Sequence, residues 1–182
     1  MVTHQATFFY DVGSPNAWFA HRLIPRIEAR SPVRFRYVAI LIGGVFKLAG
    51  NRAPLVAFAD IPTKVAWFKR EIERFARRYD LEQFRMNPHF PVNSLLAMRG
   101  AVAAEREGVS ERYVEAMFAG MWERGLDLSD PAVFHAALVE ADLPAEPIVA
   151  RAGEQAIKDE LAANTQAAYY AGAFGAPTFL LG

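Results

Sequence analysis

The sequence predicts an α/β fold in which an N-terminal β-α-β unit and a late strand enclose a long helical segment. Three observations predict it. An aromatic run over 6–12 leads into a helix, apolar and polar residues alternate over 33–40, and a Gly-Ala-Pro-Thr turn at 175–178 opens another strand. A helix between two strands is typical of parallel pairing. We therefore expect one sheet that begins near residue 6 and resumes near residue 178.

The first element ends in a turn that also starts a helix. Residues 6–12 are mostly apolar or aromatic, and Gly13-Ser14-Pro15 follows them. Serine is a good N-cap and proline fits the first helical turn, so we expect a helix over 16–29. Its first turn carries unpaired N–H groups and a partial positive charge, which can hold an anion. A serine hydroxyl there can donate to a thiolate or an oxyanion.

The middle of the chain is predicted to be helical. Residues 41–64 are rich in Gly, Asn and Pro and indicate a loop with a short helix. The segment 64–79 is amphipathic, with Trp67 and Phe75 on its apolar face. Ser129-Asp130-Pro131 is a strong helix start. The predicted helices cover 64–79, 94–107, 110–124, 131–142 and, as one helix or two, 147–173.

Composition excludes several classes of function. The 182 residues suit one domain, or one domain with a large insertion, and they include no cysteine, so disulfides and a cysteine nucleophile are excluded. Twenty basic and twenty acidic side chains cancel, which gives no indication of nucleic acid or membrane as a partner. The four histidines lack metal-ligand spacing. With no signal peptide and no apolar run near about 20 residues, we expect a cytoplasmic protein without a metal.

From the residues alone, Ser14 is either a simple helix cap or part of a ligand site. The second interpretation gains weight from Ala176-Pro177, which precedes the late strand. If that peptide bond is cis, as about 5–6% of X–Pro bonds are, the backbone of Ala176 is exposed to a ligand. Lys47, Asn51 and Asn93 have the same two interpretations, since loop residues of these types are usually solvated or turn-forming.

The two ends of the chain together resemble a thioredoxin-type fold of the DsbA-like kind. The active site of that family is a C-P-x-C-like helix start beside a cis-proline loop. Ser14 and Ala17 stand where the two cysteines would be, so disulfide exchange is impossible here. The serine form is similar to the group of 2-hydroxychromene-2-carboxylate isomerases and kappa-class glutathione transferases.

Two internal segments extend the resemblance over nearly the whole chain. Residues 46–54 resemble the Gly-Asn-x-x-Pro segment of this group, and residues 90–99 resemble its Phe-Pro-x-Asn…Met-Arg segment. The resemblance implies a thioredoxin-like domain made of 1–42 plus 161–182, a helical insertion domain at 43–160, and a homodimer. The family continues into a further strand and a Gly-x-Asp-Arg-like turn that grips the γ-glutamyl group, so we expect that the C-terminal part is truncated.

The resemblance also implies a cofactor and a site. The cofactor is glutathione: Ser14 donates to its sulfur, and the backbone of Ala176, beside Pro177, pairs with its cysteinyl part. Asn51 lines the site near glutathione and substrate. Lys47 and Asn93 complete the expected substrate site, with Lys47 holding a substrate carboxylate.

The reaction expected from this resemblance is a glutathione-dependent cis-trans isomerisation of a small aromatic or unsaturated acid. The thiolate adds reversibly to an activated double bond, the adduct rotates, and 2-hydroxychromene-2-carboxylate becomes trans-o-hydroxybenzylidenepyruvate, a step in naphthalene-type aromatic breakdown. Two alternatives remain open. One is a kappa-like glutathione transferase that conjugates irreversibly, and the other is a non-catalytic, cysteine-free thioredoxin-like binding module.

Overall fold

The structure is a computed structural model that describes residues 4–181. Within this range the chain forms three strands and nine helices. The elements are β1 (His4–Tyr10), α1 (Pro15–Glu28), β2 (Val33–Ala39), α2 (Ile42–Leu48), α3 (Pro54–Ala57), α4 (Pro62–Arg78), α5 (Leu95–Arg106), α6 (Ser110–Trp122), α7 (Pro131–Glu140), α8 (Ala145–Ala152), α9 (Gln155–Tyr170) and β3 (Thr178–Leu181).

The sheet has β1 at its centre. β1 pairs in parallel with β2, as expected for a β-α-β unit, and antiparallel with β3. In this register Phe8 lies between Tyr37 of β2 and Phe179 of β3. The strand order β2-β1-β3 places the first and last parts of the chain side by side. Helices α2 to α9 all lie between β2 and β3 in the sequence, which confirms the predicted α/β fold with its helical insertion.

Residues of β1 enter two separate cores because side chains alternate between the faces of a strand. Phe8 and Tyr10 belong to the large core, which also contains residues of α1, α5 and α6. Phe9 belongs to a small core with Val45 of α2 and Ala168 of α9. The strand is thus buried on both faces near its C-terminal end, which is where the chain turns into α1.

The helix bounds agree with the sequence patterns to within a few residues, and the apolar face of α4 is the main surprise. Only Ile72 and Ala76 of α4 are buried, whereas Trp67 is 50% exposed and Phe75 is 38% exposed. The periodicity of the sequence identified this face correctly. It did not indicate that much of the face would lie at the surface.

The division into two domains stays a prediction. The large core runs without a break from Phe8 and Trp18 in the first part of the chain to Met98 and Phe134 in the helical part. None of the helices within residues 4–181 combines the length and hydropathy that crossing a membrane requires.

Candidate active site

The Ser14 hydroxyl joins the two ends of the chain. Ser14 is the N-cap of α1, and its Oγ accepts a hydrogen bond from the Ala17 N–H at 3.3 Å. The same hydroxyl donates to the carbonyl oxygen of Ala176 at 2.7 Å. The Ala176–Pro177 peptide bond is cis. Ser14 is 4% exposed, so the hydroxyl is held in one place by the helix start and by the proline loop together.

The turn that carries Ser14 rests on the helical part of the molecule. The Val12 N–H lies 3.3 Å from the sulfur of Met98 in α5, and the Val12 carbonyl accepts a hydrogen bond of 2.7 Å from the Trp122 indole of α6. A Cβ atom added to Gly13 would lie 3.1 Å from the Cβ of Ser94, so a side chain there would disturb the approach of α5. The insertion therefore fixes the position of the candidate catalytic serine.

Asp11 is a buried acid that the sequence analysis missed. One carboxylate oxygen accepts from the Gly13 N–H at 2.8 Å, and the other accepts from the Ile42 N–H at 2.7 Å and the Ser94 hydroxyl at 2.9 Å. Burial raises the pKa of the carboxyl, and these three donors act in the opposite direction. Asp11 thereby ties the Ser14 turn to the first residue of α2 and to the N-cap of α5. An acid directly after a buried strand and two residues before Gly13 was the available signal.

Asn51 holds the proline loop against the end of α2. Gly50 has a φ of +61°, a left-handed conformation that glycine adopts readily, and it lets the Asn51 N–H donate to the carbonyl of Phe46 at 2.8 Å. The Asn51 side-chain amide donates to the carbonyl of Phe174 at 2.9 Å. Phe174 is two residues before Ala176, so Asn51 positions the loop that accepts the Ser14 hydroxyl.

These elements surround a cavity of about 540 Å³, which we call the Ser14 cavity. None of the described residues that line it carries a charged side chain. The walls come from the starts of α1, α2 and α5, from the loops around α3 and before α5, and from the proline loop; they include Ser14, Asn16, Ile42, Phe46, Asn51, Leu55, Phe68, Phe90, Asn93, Ser94 and Ala176.

Positive potential in the Ser14 cavity comes from the backbone. The start of α1 faces it, and the Asn16 N–H donates to none of the described residues because Pro15 and Asn16 occupy the first helical turn. Asn93, Ser94 and Leu95 bring the start of α5 to the same cavity. Helix N-termini attract anions through their free N–H groups and their dipoles. The cavity can therefore stabilise a small anion such as a thiolate without a lysine or arginine.

Five of the six predicted site residues meet in the Ser14 cavity: Ser14, Asn51, Asn93, Ala176 and Pro177 all line it. Lys47 is not among the lining residues, and its role in binding a substrate carboxylate stays a prediction. Neighbouring residues of a helix point about 100° apart, and in α2 the pocket-facing position is taken by Phe46 while Lys47 is exposed. The described residues also hold no cluster of three or more His, Asp and Glu side chains suited to a metal ion.

A thioredoxin-like sheet, a capped helix start and a facing cis-proline define the class of protein. The chain belongs to the DSBA-like thioredoxin domain family, whose model matches residues 5–182. Its curated relatives include human glutathione S-transferase kappa 1, which is 27% identical over 93% of this chain and 77% of the relative. They also include the 2-hydroxychromene-2-carboxylate isomerase of Sphingobium xenophagum, 24% identical over 97% of this chain and 88% of the relative.

Comparison with solved structures supports the same fold. A structure of 2-hydroxychromene-2-carboxylate isomerase superposes with a TM-score of 0.82, at 22% identity, over 98% of this chain and 85% of that one. Together, the family match and these relatives confirm the resemblance inferred from the sequence. The named relatives are enzymes, and one of the two names includes glutathione.

Proposed function

We propose that this protein is a glutathione-dependent enzyme that holds the thiolate of glutathione at Ser14. The observation that carries the proposal is the hydrogen bond of 2.7 Å between the Ser14 hydroxyl and the Ala176 carbonyl, at the wall of an apolar cavity. These groups fit a cysteinyl residue: a hydroxyl to donate to its sulfur, a backbone carbonyl to accept from its amide, and the start of a helix to favour its negative charge.

The interaction free energies are large enough to lower the pKa of the bound thiol. A hydrogen bond to a charged acceptor contributes about 1.5 to 3 kcal/mol, but Ser14 must first give up its bond to Ala176, which is worth about 1 kcal/mol. The helix start adds about 0.3 to 1 kcal/mol. The sum, about 1 to 3 kcal/mol, would lower a thiol pKa of about 8.5 by about 1 to 2 units. Ser14 therefore acts as an electrostatic donor and forms no bond to the substrate.

We propose cis-trans isomerisation of an unsaturated aromatic acid, of the 2-hydroxychromene-2-carboxylate type, as the reaction. When bound, glutathione supplies a sulfur nucleophile that can add to an activated double bond and leave again. The chain itself orients the substrate and excludes water. Phe46, Phe68 and Phe90 line the cavity where the aromatic ring of the substrate would lie. With Lys47 outside the cavity, the side chain of Asn93 and the start of α5 are the groups we propose for the substrate carboxylate.

A second candidate, glutathione transfer to an apolar electrophile, is favoured by one specific observation. The described walls of the Ser14 cavity carry no cationic side chain. Such a cavity suits a neutral aromatic substrate better than a substrate with a carboxylate. Glutathione transfer would use the same thiolate, and Ser14 would stabilise it in the same way. We further propose that the protein is cytoplasmic and, on the resemblance alone, that it is a homodimer.

One set of assays tests these proposals. We expect isomerisation of 2-hydroxychromene-2-carboxylate to require glutathione and to fall sharply in Ser14→Ala, whereas Ser14→Thr keeps a hydroxyl and retains most activity. Conjugation of an aryl halide, without isomerisation, would identify the transferase instead. An equal isomerisation rate with and without glutathione would refute the proposed role of the thiolate. Absence of glutathione binding in calorimetry would favour the binding module.

A further inference from the structure

A second cavity, of about 700 Å³, lies between β2, the second half of α1, and helices α5 and α6. It shares no lining residue with the Ser14 cavity. Its walls combine apolar side chains with carboxylates and phenols; they include Tyr10, His21, Ile24, Glu28, Arg34, Tyr37, Ala101, Glu105, Glu111, Val114 and Glu115. We call it the Tyr10 cavity.

One wall of the Tyr10 cavity is already paired internally. His21 Nδ1 lies 2.9 Å from the Tyr37 hydroxyl, and His21 Nε2 lies 3.0 Å from Glu115. Glu115 also accepts from Arg22 at 2.7 Å. Arg34 donates from one nitrogen to backbone carbonyls, including that of Val33 at 2.8 Å. His21, Tyr37, Glu115 and Arg22 thus satisfy one another, whereas Arg34 keeps a positive charge that no described carboxylate pairs.

The other charged groups of the cavity are three glutamates, of which Glu105 and Glu111 are exposed and have no charged partner among the described residues. Among the hydrogen bonds and ion pairs of residues 4–181, none involves the carboxylate of Glu105 or that of Glu111. The carboxylate of Glu28 accepts only from the backbone N–H of Phe35, at 2.7 Å. Among the described side chains, none of the ion pairs brings a cation to the carboxylates of Glu28, Glu105 or Glu111.

The hydroxyl of Tyr10 is an independent indication of a ligand. Tyr10 is 4% exposed and lines the cavity, yet its hydroxyl has no hydrogen-bond partner among the described residues. Among the side chains of residues 4–181, one polar atom is both fully enclosed and without a hydrogen-bond partner, and it is Nε of Arg22. The unpartnered hydroxyl of Tyr10 is therefore not fully enclosed, and it opens to the cavity space. Burial raises the pKa of Tyr10, and the nearby charge of Glu105 raises it further, which keeps the phenol protonated. A buried phenol normally finds a partner.

We propose that the Tyr10 cavity binds a small organic cation, an ammonium group on an apolar or aromatic body. The ammonium would lie between the Glu105 and Glu111 carboxylates and donate to the Tyr10 hydroxyl oxygen. The body would pack on Ile24, Ala101 and Val114, where apolar burial favours binding. The site is separate from the Ser14 cavity and does not depend on the function proposed for it.

Calorimetry with three compounds of one shape tests the charge requirement. Tryptamine carries an ammonium, tryptophol replaces it with a hydroxyl, and indolepropionate carries a carboxylate. We expect tryptamine to bind at least about tenfold more tightly than tryptophol, because a charge-assisted hydrogen bond replaces a neutral one, and we expect no binding of indolepropionate. Equal affinities of tryptamine and tryptophol, or no binding of tryptamine, would overturn the proposal.

Two variants test the position of the site. Glu105→Gln and Tyr10→Phe should each weaken tryptamine binding, by about tenfold and about threefold, while the matched controls Glu82→Gln and Tyr170→Phe, on exposed residues outside the cavity, should not. If Tyr10→Phe fails to fold, Glu105→Gln decides the question alone. A crystal structure with tryptamine in the Ser14 cavity, or unchanged affinity in Glu105→Gln, would overturn the proposal.

Discussion

The Ser14 cavity and the Tyr10 cavity are of similar size, but their walls differ in the source of their electrostatic potential. The described walls of the first carry no charged side chain, and its positive potential comes from helix starts and a hydroxyl. The second has four glutamates with one arginine and one histidine. Side-chain charges titrate with pH, whereas backbone dipoles do not, and salt screens a buried site less than an exposed one. The comparison indicates that chemistry at Ser14 depends on geometry more than on net charge.

Removing the Ser14 hydroxyl should have the largest effect. We expect Ser14→Ala to lower glutathione-dependent turnover by about 2-fold to 30-fold, because a hydrogen bond to a charged acceptor is lost whose net contribution, after the bond to Ala176 is subtracted, is about 0.5 to 2 kcal/mol. Loss of the N-cap should also reduce stability by about 1 kcal/mol. Steady-state rates, with circular dichroism to verify folding, check both effects. Ser14→Thr is the control, and equal losses in both variants would contradict the role of the hydroxyl.

Asp11→Asn should have the next largest effect, on stability and on the site together. The three donors around Asp11 need acceptors on both carboxylate oxygens, and an asparagine would turn an N–H₂ group toward one or two of them. A buried unsatisfied donor costs about 1 to 3 kcal/mol, so we expect a loss of about 2 kcal/mol in urea denaturation. An unchanged midpoint would show that Asp11 does not fix the Ser14 turn. Asp60→Asn, at an exposed position, is the matched control.

Glu115→Gln should lower the free energy of unfolding by a smaller amount, and this loss should depend on pH. The hydrogen bond from His21, and then those from Arg22, lower the pKa of Glu115 from 4.5 to about 2. A carboxyl with a lowered pKa stabilises the fold above its ordinary pKa, and that contribution is lost as the pH falls from about 4.5 to 2. Because Glu115 is half-exposed, we expect a stability difference of only about 1 kcal/mol at pH 7.

Denaturation of wild type and Glu115→Gln at several pH values checks this expectation. The two stability curves should converge between pH 4.5 and 2 and run parallel above pH 5. A difference that stays constant down to pH 2 would mean that Glu115 acts through packing and not through its charge.

Lys47→Ala should have the smallest effect. Because Lys47 is exposed and does not line the Ser14 cavity, we expect less than about a twofold change in kcat or KM for an acidic substrate. Phe46→Ala, at the neighbouring position that does line the cavity, is the informative contrast and should raise KM. A strong rise of KM in Lys47→Ala would restore the carboxylate-binding role expected from the sequence.

Local sequence patterns were enough for the elements that carry Ser14. The aromatic strand, the Ser14-Pro15 helix start and the turn before Thr178 each follow from a few adjacent residues, and the structure contains all three. The pairing of Ser14 with Ala176 needed the family resemblance as well, because 162 residues separate the partners.

The features that the sequence did not predict depend on contacts between distant residues, which no local pattern encodes. Asp11 meets Ile42 and Ser94 across 31 and 83 residues, and the Tyr10 cavity gathers residues from five elements. The orientation of Lys47 away from the cavity depends on how α2 rotates against α9, which periodicity in a helix of seven residues cannot define. Similarly, the apolar face of α4 was visible in the sequence, but its exposure was not.

The pKa of the thiol of bound glutathione, measured from the ultraviolet absorbance of the thiolate as the pH is varied, tests directly whether Ser14 stabilises the thiolate. We expect a value about 1 to 2 units below that of free glutathione, a return of about 1 unit toward the free value in Ser14→Ala, and little change with salt concentration because Ser14 is buried. A bound thiol with the pKa of free glutathione, or one that is unchanged in Ser14→Ala, would contradict this role of Ser14.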